Sequence, residues 1–319
     1  MTAEPIDRIR RFNRTVSERV GVLHDRYLGR DRPVGEARLL WEIGAAPGRD
    51  VRWLRERLGL DSGYLSRLLR ALERDGLVAV EPAPGDRRMR VARLTEAGRA
   101  ERAVLDRRSD ALAHSLLAPL NADQRARLTS AMAEVTRLLT AATVAVDEAD
   151  PDHPDARHCL GRYAAELADR LPAGFDPGRS LLPDPAELTP PRGLFLVARL
   201  HGEPVGCAGL KLPPGAPAEI KRMWVDPEVR GLGVARRLLG ELEGRAADHG
   251  RTRVRLDTNR ALTEAVRLYR SFGFREVPPF NEEPYAHHWF EKPVVPRSDQ
   301  PQAAPRSNRP QAAPRPDRP

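Results

Sequence analysis

The stretch whose reading decides the fold of the second half is Glu219-Ile220-Lys221-Arg222-Met223-Trp224-Val225-Asp226-Pro227-Glu228-Val229-Arg230-Gly231-Leu232-Gly233-Val234-Ala235. Ala218 to Val225 reads as a strand, Asp226-Pro227 ends it, and Val234 to His249 carries a helical stripe. Between strand and helix lies a turn with two glycines, Gly231 and Gly233. A strand that passes through such a turn directly into a helix aims backbone N–H groups and the positive end of a helix dipole at one spot. Glycine lets the main chain approach an anion closely, and Arg230 adds charge, so the turn reads as a pyrophosphate cradle. It is not a Walker loop, because no Gly-Lys-Ser/Thr is present. It is not the Rossmann fingerprint either, because the Gly-x-Gly-x-x-Gly spacing fails at Arg236.

Around this stretch helices and strands alternate. Ala156 to Leu171 is helical, and Leu194 to Leu200 and Val205 to Leu212 are strands joined at His201-Gly202. Val254 to Asp257 is a strand, Leu262 to Phe272 a helix, and Phe274 to Val277 and His288 to Glu291 are closing strands. That order predicts an α/β plan with a mixed sheet. His287 and His288 fall on opposite faces of a strand with no third or fourth ligand at suitable spacing, so no metal is expected. Cys207, in an apolar strand with no base partner, reads as core.

Arg230-x-x-Gly233-x-Ala235 resembles the Arg/Gln-x-x-Gly-x-Gly/Ala pattern of the GNAT N-acetyltransferase family. Asn259 and Leu268-Tyr269-Arg270-Ser271-Phe272-Gly273-Phe274 resemble its second motif, and Pro284 to Lys292 resembles the end of one subgroup. The resemblance spans residues 156–295. It implies an α/β acyltransferase fold with a mixed, mostly antiparallel sheet, and acetyl-CoA as donor. It implies that Met223, Trp224 and Val225 pair through their main chain with the pantetheine arm. Arg230, Gly231, Leu232, Gly233, Val234 and Ala235 would hold the pyrophosphate, and Asn259 would sit beside the arm. Direct attack of an amine on the thioester needs a base for the amine proton and an acid for the departing thiolate. Tyr269, where the family often has a tyrosine, is the acid candidate. Glu219, acting through water, is the base candidate.

The first half reads differently. Ile6 to Leu28 carries a helical stripe at Ile9, Phe12, Val16, Val20 and Leu23, and Glu36 to Ile43 and Val51 to Leu58 are two shorter helices. Asp61-Ser62 offers an N-cap before a helix from Ser62 to Asp75, which Gly76 stops. Leu77 to Val80, a turn at Pro82 to Asp86, and Met89 to Leu94 make a hairpin, and Thr95 caps a long helical region broken at Pro119-Leu120-Asn121. Helix, short helix, helix and hairpin is the winged helix-turn-helix order, rich in helix with one small sheet, and its second motif helix lies in the major groove. Ser62, Tyr64, Ser66, Arg67 and Arg70 lie away from the apolar face of that helix and are candidate DNA contacts. Arg87 and Arg88 at the hairpin tip suit a narrow minor groove. Leu68 to Val78, then Asp86-Arg87-Arg88, then Leu94-Thr95-Glu96-Ala97-Gly98 resemble the MarR family of bacterial regulators. The resemblance covers about residues 1–144. It implies a homodimer built from the first and last helices of this half, a double-stranded operator as partner, and Asp86 steadying Arg88.

Composition agrees with two units. The chain has 319 residues and a net charge of +8. Residues 1–146 carry +7, residues 147–295 carry −2 and residues 296–319 carry +3. A basic half suggests a polyanion partner, and a slightly acidic half hints at a cationic acceptor. Expected boundaries are 1–146 for the winged helix, 147–155 for an acidic, proline-bearing linker, 156–295 for the transferase and 296–319 for a disordered tail with a nine-residue repeat. No apolar run is long enough to span a membrane, Met1 to Arg14 lacks a signal core, and two cysteines make no disulfide framework, so a cytoplasmic protein is expected. The sequence points to a DNA-binding regulator that also acetylates an amine. It leaves open a regulator whose transferase fold only senses a ligand, and an enzyme whose winged helix only dimerises it.

Overall fold

In the computed structural model the described residues are 3–20, 27–29, 32–83, 85–172, 174–181 and 183–294, without the side chains of Ala3, Tyr27 and Arg87. The tail expected over 296–319 lies outside them. Two compact units form, one over Met1–Ala145 and one holding nearly all that follows from Val146.

The first unit starts with α1 (Ala3–Val20). The helix expected to reach Leu28 does not do so: residues 21–26 are outside the described set, and Tyr27–Gly29 is a separate turn with Leu28 left-handed at φ 53°. Then come α2 (Val34–Ala45), α3 (Val51–Leu58) and α4 (Ser62–Arg74). Each of the last two starts where an aspartate caps it, Asp50 accepting from Trp53 N and Asp61 from Tyr64 N. Leu39, Leu40, Ile43, Leu54, Leu65 and Leu72 from these three helices form the core. Each fully buried leucine stabilises by about 2 kcal/mol. Strands β1 (Val78–Ala83) and β2 (Asp86–Leu94) pair antiparallel as a hairpin.

The join from hairpin to α5 (Glu96–Leu117) explains the Leu-Thr-x-x-Gly run. Thr95 Oγ1 accepts from Gly98 N at 3.0 Å and donates to Gly76 O at 2.7 Å, and Thr95 N donates to Leu77 O. The start of α5 is thereby tied to the end of α4. Gly98 is required by proximity: a Cβ there would lie 2.0 Å from Leu77 O. Asn121 and Gln124 form a reciprocal capping box that starts α6 (Ala122–Ala142) after the break.

The second unit is a seven-stranded sheet in the order β3-β4-β5-β6-β7-β9-β8. Its strands are β3 (Ala145–Glu148), β4 (Gly193–Leu200), β5 (Glu203–Lys211), β6 (Ala218–Val225), β7 (Arg253–Thr258), β8 (Arg275–Val277) and β9 (His288–Pro293). Helices α7 (Pro154–Arg170), α8 (Val234–Asp248) and α9 (Thr263–Ser271) complete it. The expected linker begins with structure instead: β3 joins the sheet beside β4, and Ala149 N donates to Phe195 O at 2.9 Å. Its acidic residues hid this, because an edge strand needs only one apolar side to pack. Ala156, Cys159, Leu188, Phe195, Val197, Cys207 and Trp224 make a core cluster between α7 and the sheet. Strand β6 is antiparallel to β5 and parallel to β7, and β9 is antiparallel to both β7 and β8, so the sheet is mixed.

Candidate functional site

The sheet opens in its middle. Strand β6 pairs with β7 only at Ala218–Val254 and Glu219–Arg255. Beyond that register the two strands part, and the β7-facing edge of β6 from Ile220 onward has no strand partner among the described residues. A bulge helps to aim it: from Gly209–Lys221 to Cys207–Trp224, β5 advances two residues while β6 advances three. The extra residue falls at Arg222, which is left-handed at φ 54°, a costly state for a side chain with a Cβ. Arg222 Nη2 donates to Pro183 O at 2.9 Å and Cys207 Sγ lies 3.4 Å from Arg222 O, so both ends of the residue are held.

A cleft occupies the opening. Met223, Asp257, Asn259, Tyr269, Tyr163 and Glu283 are among the residues that line it. Tyr269 is buried, its hydroxyl 3.9 Å from Met223 Sδ and its ring against Phe274 and Phe290. Burial, and then the charge of Asp257, push its phenol above the ordinary range, so it stays protonated. Tyr163 on α7 is pushed up in the same way, by burial first and then by Tyr269 and Asp257.

Tyr269 and Met223 thus line the cleft. Trp224 and Val225 are buried and do not line it. Asn259 lines it, but its side chain is engaged: Nδ2 donates to Tyr285 O at 2.6 Å and Oδ1 accepts from Ala261 N at 2.9 Å. Glu219 does not line it. It lies at the last paired register and accepts from Arg255, which leaves its carboxylate neutralised and away from the opening. Sequence reasoning missed Tyr163, Asp257 and Glu283, which reach the cleft from α7, β7 and the loop before β9. Asp257 is paired with Lys221 and accepts from Asn281 Nδ2 at 3.0 Å. The register that sets Glu219 against Arg255 sets Lys221 against Asp257 two residues on in each strand, and no local pattern encodes it.

At the carboxyl end of β6 the turn leads into α8. Gly231 and Gly233 have φ of 86° and 80°, and a Cβ on either would meet only open space. Gly233 is the N-cap of α8 and offers no side chain, so the first-turn N–H groups of Val234 and Ala235 are capped by none. Leu232 N donates back to Val229 O, closing the turn. The uncapped helix start and the bare glycines fit an anionic group. The Arg230 guanidinium is exposed but already engaged by the protein. Nε donates to Val225 O at 3.1 Å, and Nη2 contacts both oxygens of Glu166 at 2.7 and 2.6 Å. Glu166 also accepts from Arg170 and from Trp224 Nε1. Burial alone would raise the Glu166 carboxyl, but the hydrogen bonds from Arg230, Arg170 and Trp224 prevail and hold it below its ordinary range. Arg230 therefore fastens the turn to α7, and its charge is already matched.

The outward-facing candidates of the first unit lie on α4 and the wing. Leu65, Leu68, Leu69 and Leu72 are buried, while Ser62, Tyr64, Arg67 and Arg70 are exposed. The Arg67 guanidinium lies over the Tyr64 ring, 5.6 Å from its centre. Ser66 is half-buried and its hydroxyl donates to Ser62 O, so it is the least available of the set. Arg88 is exposed and its backbone N donates to Asp86 Oδ1 at 2.8 Å. The Arg87 side chain lies outside the described residues. Arg32 steadies α4 from behind, donating to Glu36 Oε2 and to Asp75 Oδ2, the C-cap of α4.

Comparison with known proteins follows the same division. Residues 162–274 match the Acetyltransferase (GNAT) family and residues 29–89 match the MarR family. A protein of Azospirillum brasilense named IAA acetyltransferase is 36% identical over 42% of this chain and 86% of its own length. An uncharacterized N-acetyltransferase of Schizosaccharomyces pombe is 42% identical over 30% of this chain, which spans 60% of that relative. The apo crystal structure of wild-type MarR from E. coli is 25% identical over 40% of this chain and 94% of its own, with a TM-score of 0.36. No helix among the described residues is long and apolar enough to cross a membrane. The chain belongs to the GNAT acetyltransferase family through its second unit, and residues 29–89 of its first unit match the MarR family model.

Proposed function

We propose that the chain is a DNA-binding regulator and an acetyl-CoA-dependent N-acetyltransferase. The observation that carries the second half is the parting of β6 from β7, with the uncapped start of α8 at one end and the Tyr269 hydroxyl facing the gap. Acetyl-CoA supplies an acetyl thioester. The N–H groups of Val234 and Ala235, with Gly231 and Gly233, receive its pyrophosphate, and the free edge of β6 at Met223–Val225 receives its arm. Arg230 keeps that turn in place through Glu166. Tyr269, held protonated by burial, donates a proton to the departing thiolate. Glu219 does not line the cleft, so the proton of the amine passes, through water, to a carboxylate that does, for which Asp257, whose charge acts on both phenols, is the choice.

The first unit binds double-stranded DNA through Ser62, Tyr64, Arg67 and Arg70 on α4 and through Arg88 on the wing. It pairs with a second copy through α1 and α6. Ile6, Ile9, Phe12 and Val16 on α1 and Met132, Leu138 and Leu139 on α6 are exposed, and α6 buries no residue within its own chain. Apolar stripes of that kind call for a partner.

The experiment is acetyl-CoA-dependent release of free thiol by the purified full chain across a panel of amines. Turnover with at least one amine, lost in Tyr269→Phe, supports the transferase. Acetyl-CoA that binds by calorimetry but releases no thiol above hydrolysis with any amine would turn the second unit into a sensor.

A further inference from the structure

Resting on the acetyl-transfer reading, we propose that the acceptor is a primary amine with an aromatic or aliphatic body that docks as its ammonium ion on Glu283. Glu283 lines the cleft and is 9% exposed. Its Oε2 accepts from Leu181 N at 2.7 Å and from Ser180 Oγ at 3.0 Å. Among the described residues Oε1 receives only the longer bond from Tyr285 N, at 3.3 Å.

The neighbouring carboxylates each have a cation. Asp257 has Lys221, Glu219 has Arg255, and Glu166 has Arg230 and Arg170. Among the described residues Glu283 has no lysine, arginine or histidine within ion-pair reach. A carboxylate withdrawn from water without a counter-ion is costly, and neutral donors offset only part of that cost. A cation entering the cleft completes the site.

The surroundings select its chemistry. The rings of Phe175 and Tyr285 lie 5.1 Å apart at 56°, and both line the cleft with Leu171, Leu181 and Pro183. The Tyr285 ring is fixed because its hydroxyl accepts from Asp176 N at 2.9 Å. Aromatic faces and aliphatic walls suit the body of an organic amine and a nearby ammonium. A hard dication would want about six oxygen ligands. Among the described residues no group of three His, Cys, Asp or Glu side chains could hold a metal ion. An alkylamine, with a pKa of about 10, arrives protonated at neutral pH. The Glu283 carboxylate and the Tyr285 hydroxyl both join the segment of Ser180-Leu181 to that of Glu283, so the acceptor meets its charge and its walls together.

The test uses the full chain saturated with CoA and three probes that share a body: 2-phenylethylamine, 2-phenylethanol and 3-phenylpropanoate. Binding is measured by calorimetry for the wild type and for Glu283→Gln, which keeps an oxygen for Leu181 N and Ser180 Oγ but removes the charge. The amine should bind best to the wild type and lose about 10- to 100-fold in affinity in Glu283→Gln, while the alcohol changes little. Equal losses for amine and alcohol would make Glu283 a loop fastener and overturn the proposal. So would a carboxylate probe that binds the wild type as tightly as the amine, or no binding by any probe. Thiol release separates the two levels. An amine that binds through Glu283 but accepts no acetyl leaves the docking site standing and sinks the transfer. Transfer to an amine with an unchanged KM in Glu283→Gln does the reverse.

Discussion

The two units hold charge in opposite ways. On α4 and the wing, Arg67, Arg70 and Arg88 are exposed and make no ion pair among the described residues. Around the cleft, Lys221, Arg230 and Arg255 are paired with Asp257, Glu166 and Glu219, and Arg222 is spent on a carbonyl. An exposed guanidinium needs nothing to balance it, so a helix face can hold it ready for a polyanion. A charge beside a buried cleft must be matched before it is withdrawn from water. The α4 and wing arginines are thus left unpaired, whereas the charges around the cleft are matched. Glu283 is the exception in the cleft, a buried carboxylate left without a cation.

The strongest way to break this contrast is to remove a group that the cleft leaves free to act. Tyr269→Phe keeps the ring against Phe274 and Phe290 and deletes only the hydroxyl. It should lower kcat by about 100- to 10,000-fold with unchanged acetyl-CoA affinity. Steady-state thiol release and calorimetry read the two quantities, and an unchanged kcat would remove Tyr269 from proton transfer.

A smaller effect tests whether the exposed face depends on hidden packing. Gly98→Ala puts a methyl against Leu77 O, where the start of α5 meets the end of the α4 segment. It should cost the first unit about 1–3 kcal/mol. Denaturant unfolding of the full chain should show an earlier first transition. An unmoved midpoint would mean that the join yields freely, and the face could not owe its shape to it.

This difference also governs what the sequence discloses. The α4 face was legible because one helix of thirteen residues, Ser62–Arg74, carries both its apolar stripe and its polar face. The α8 turn was legible for the same reason, since glycines and helix start are consecutive. The sequence carries no sign of the partner of Arg230, because Glu166 lies 64 residues away on α7. Nor does the sequence show the matching charge of Glu219, because Arg255 is set opposite it by a strand register that no local period encodes. Glu283 gave no signal at all, being one acidic residue in a loop, and only the packing of distant segments made it buried. Strand β3 was hidden by the acidic composition of its neighbourhood.

Salt sharpens the contrast next. Each arginine that neutralises a phosphate releases counterions, so Arg67→Ala and Arg88→Ala should each lower the log K versus log salt slope of DNA binding by about one. Acetyl-CoA affinity of the same variants should not move. Gel-shift titrations at several salt concentrations measure the first and calorimetry the second. Identical slopes for wild type and Arg88→Ala would take the wing out of the interface.

The least effect expected comes from acid. Glu166 titrates below its ordinary value of 4.5 because the bonds from Arg230, Arg170 and Trp224 outweigh its burial. A depressed carboxyl contributes stability that is fully present above the unfolded value and lost as pH falls through the folded one. Glu166→Gln lacks that contribution at every pH. The stability gap between wild type and Glu166→Gln should therefore be constant at neutral pH and shrink as pH falls below about 4.5, to near zero once both forms carry a neutral group. Denaturant midpoints of the second transition at a series of pH values report the gap. Its persistence into strong acid would mean that the clamp acts through shape, with charge irrelevant. No such acid dependence is expected of acetyl-CoA binding in Arg67→Ala relative to wild type, since that arginine is exposed and has no carboxylate to lose.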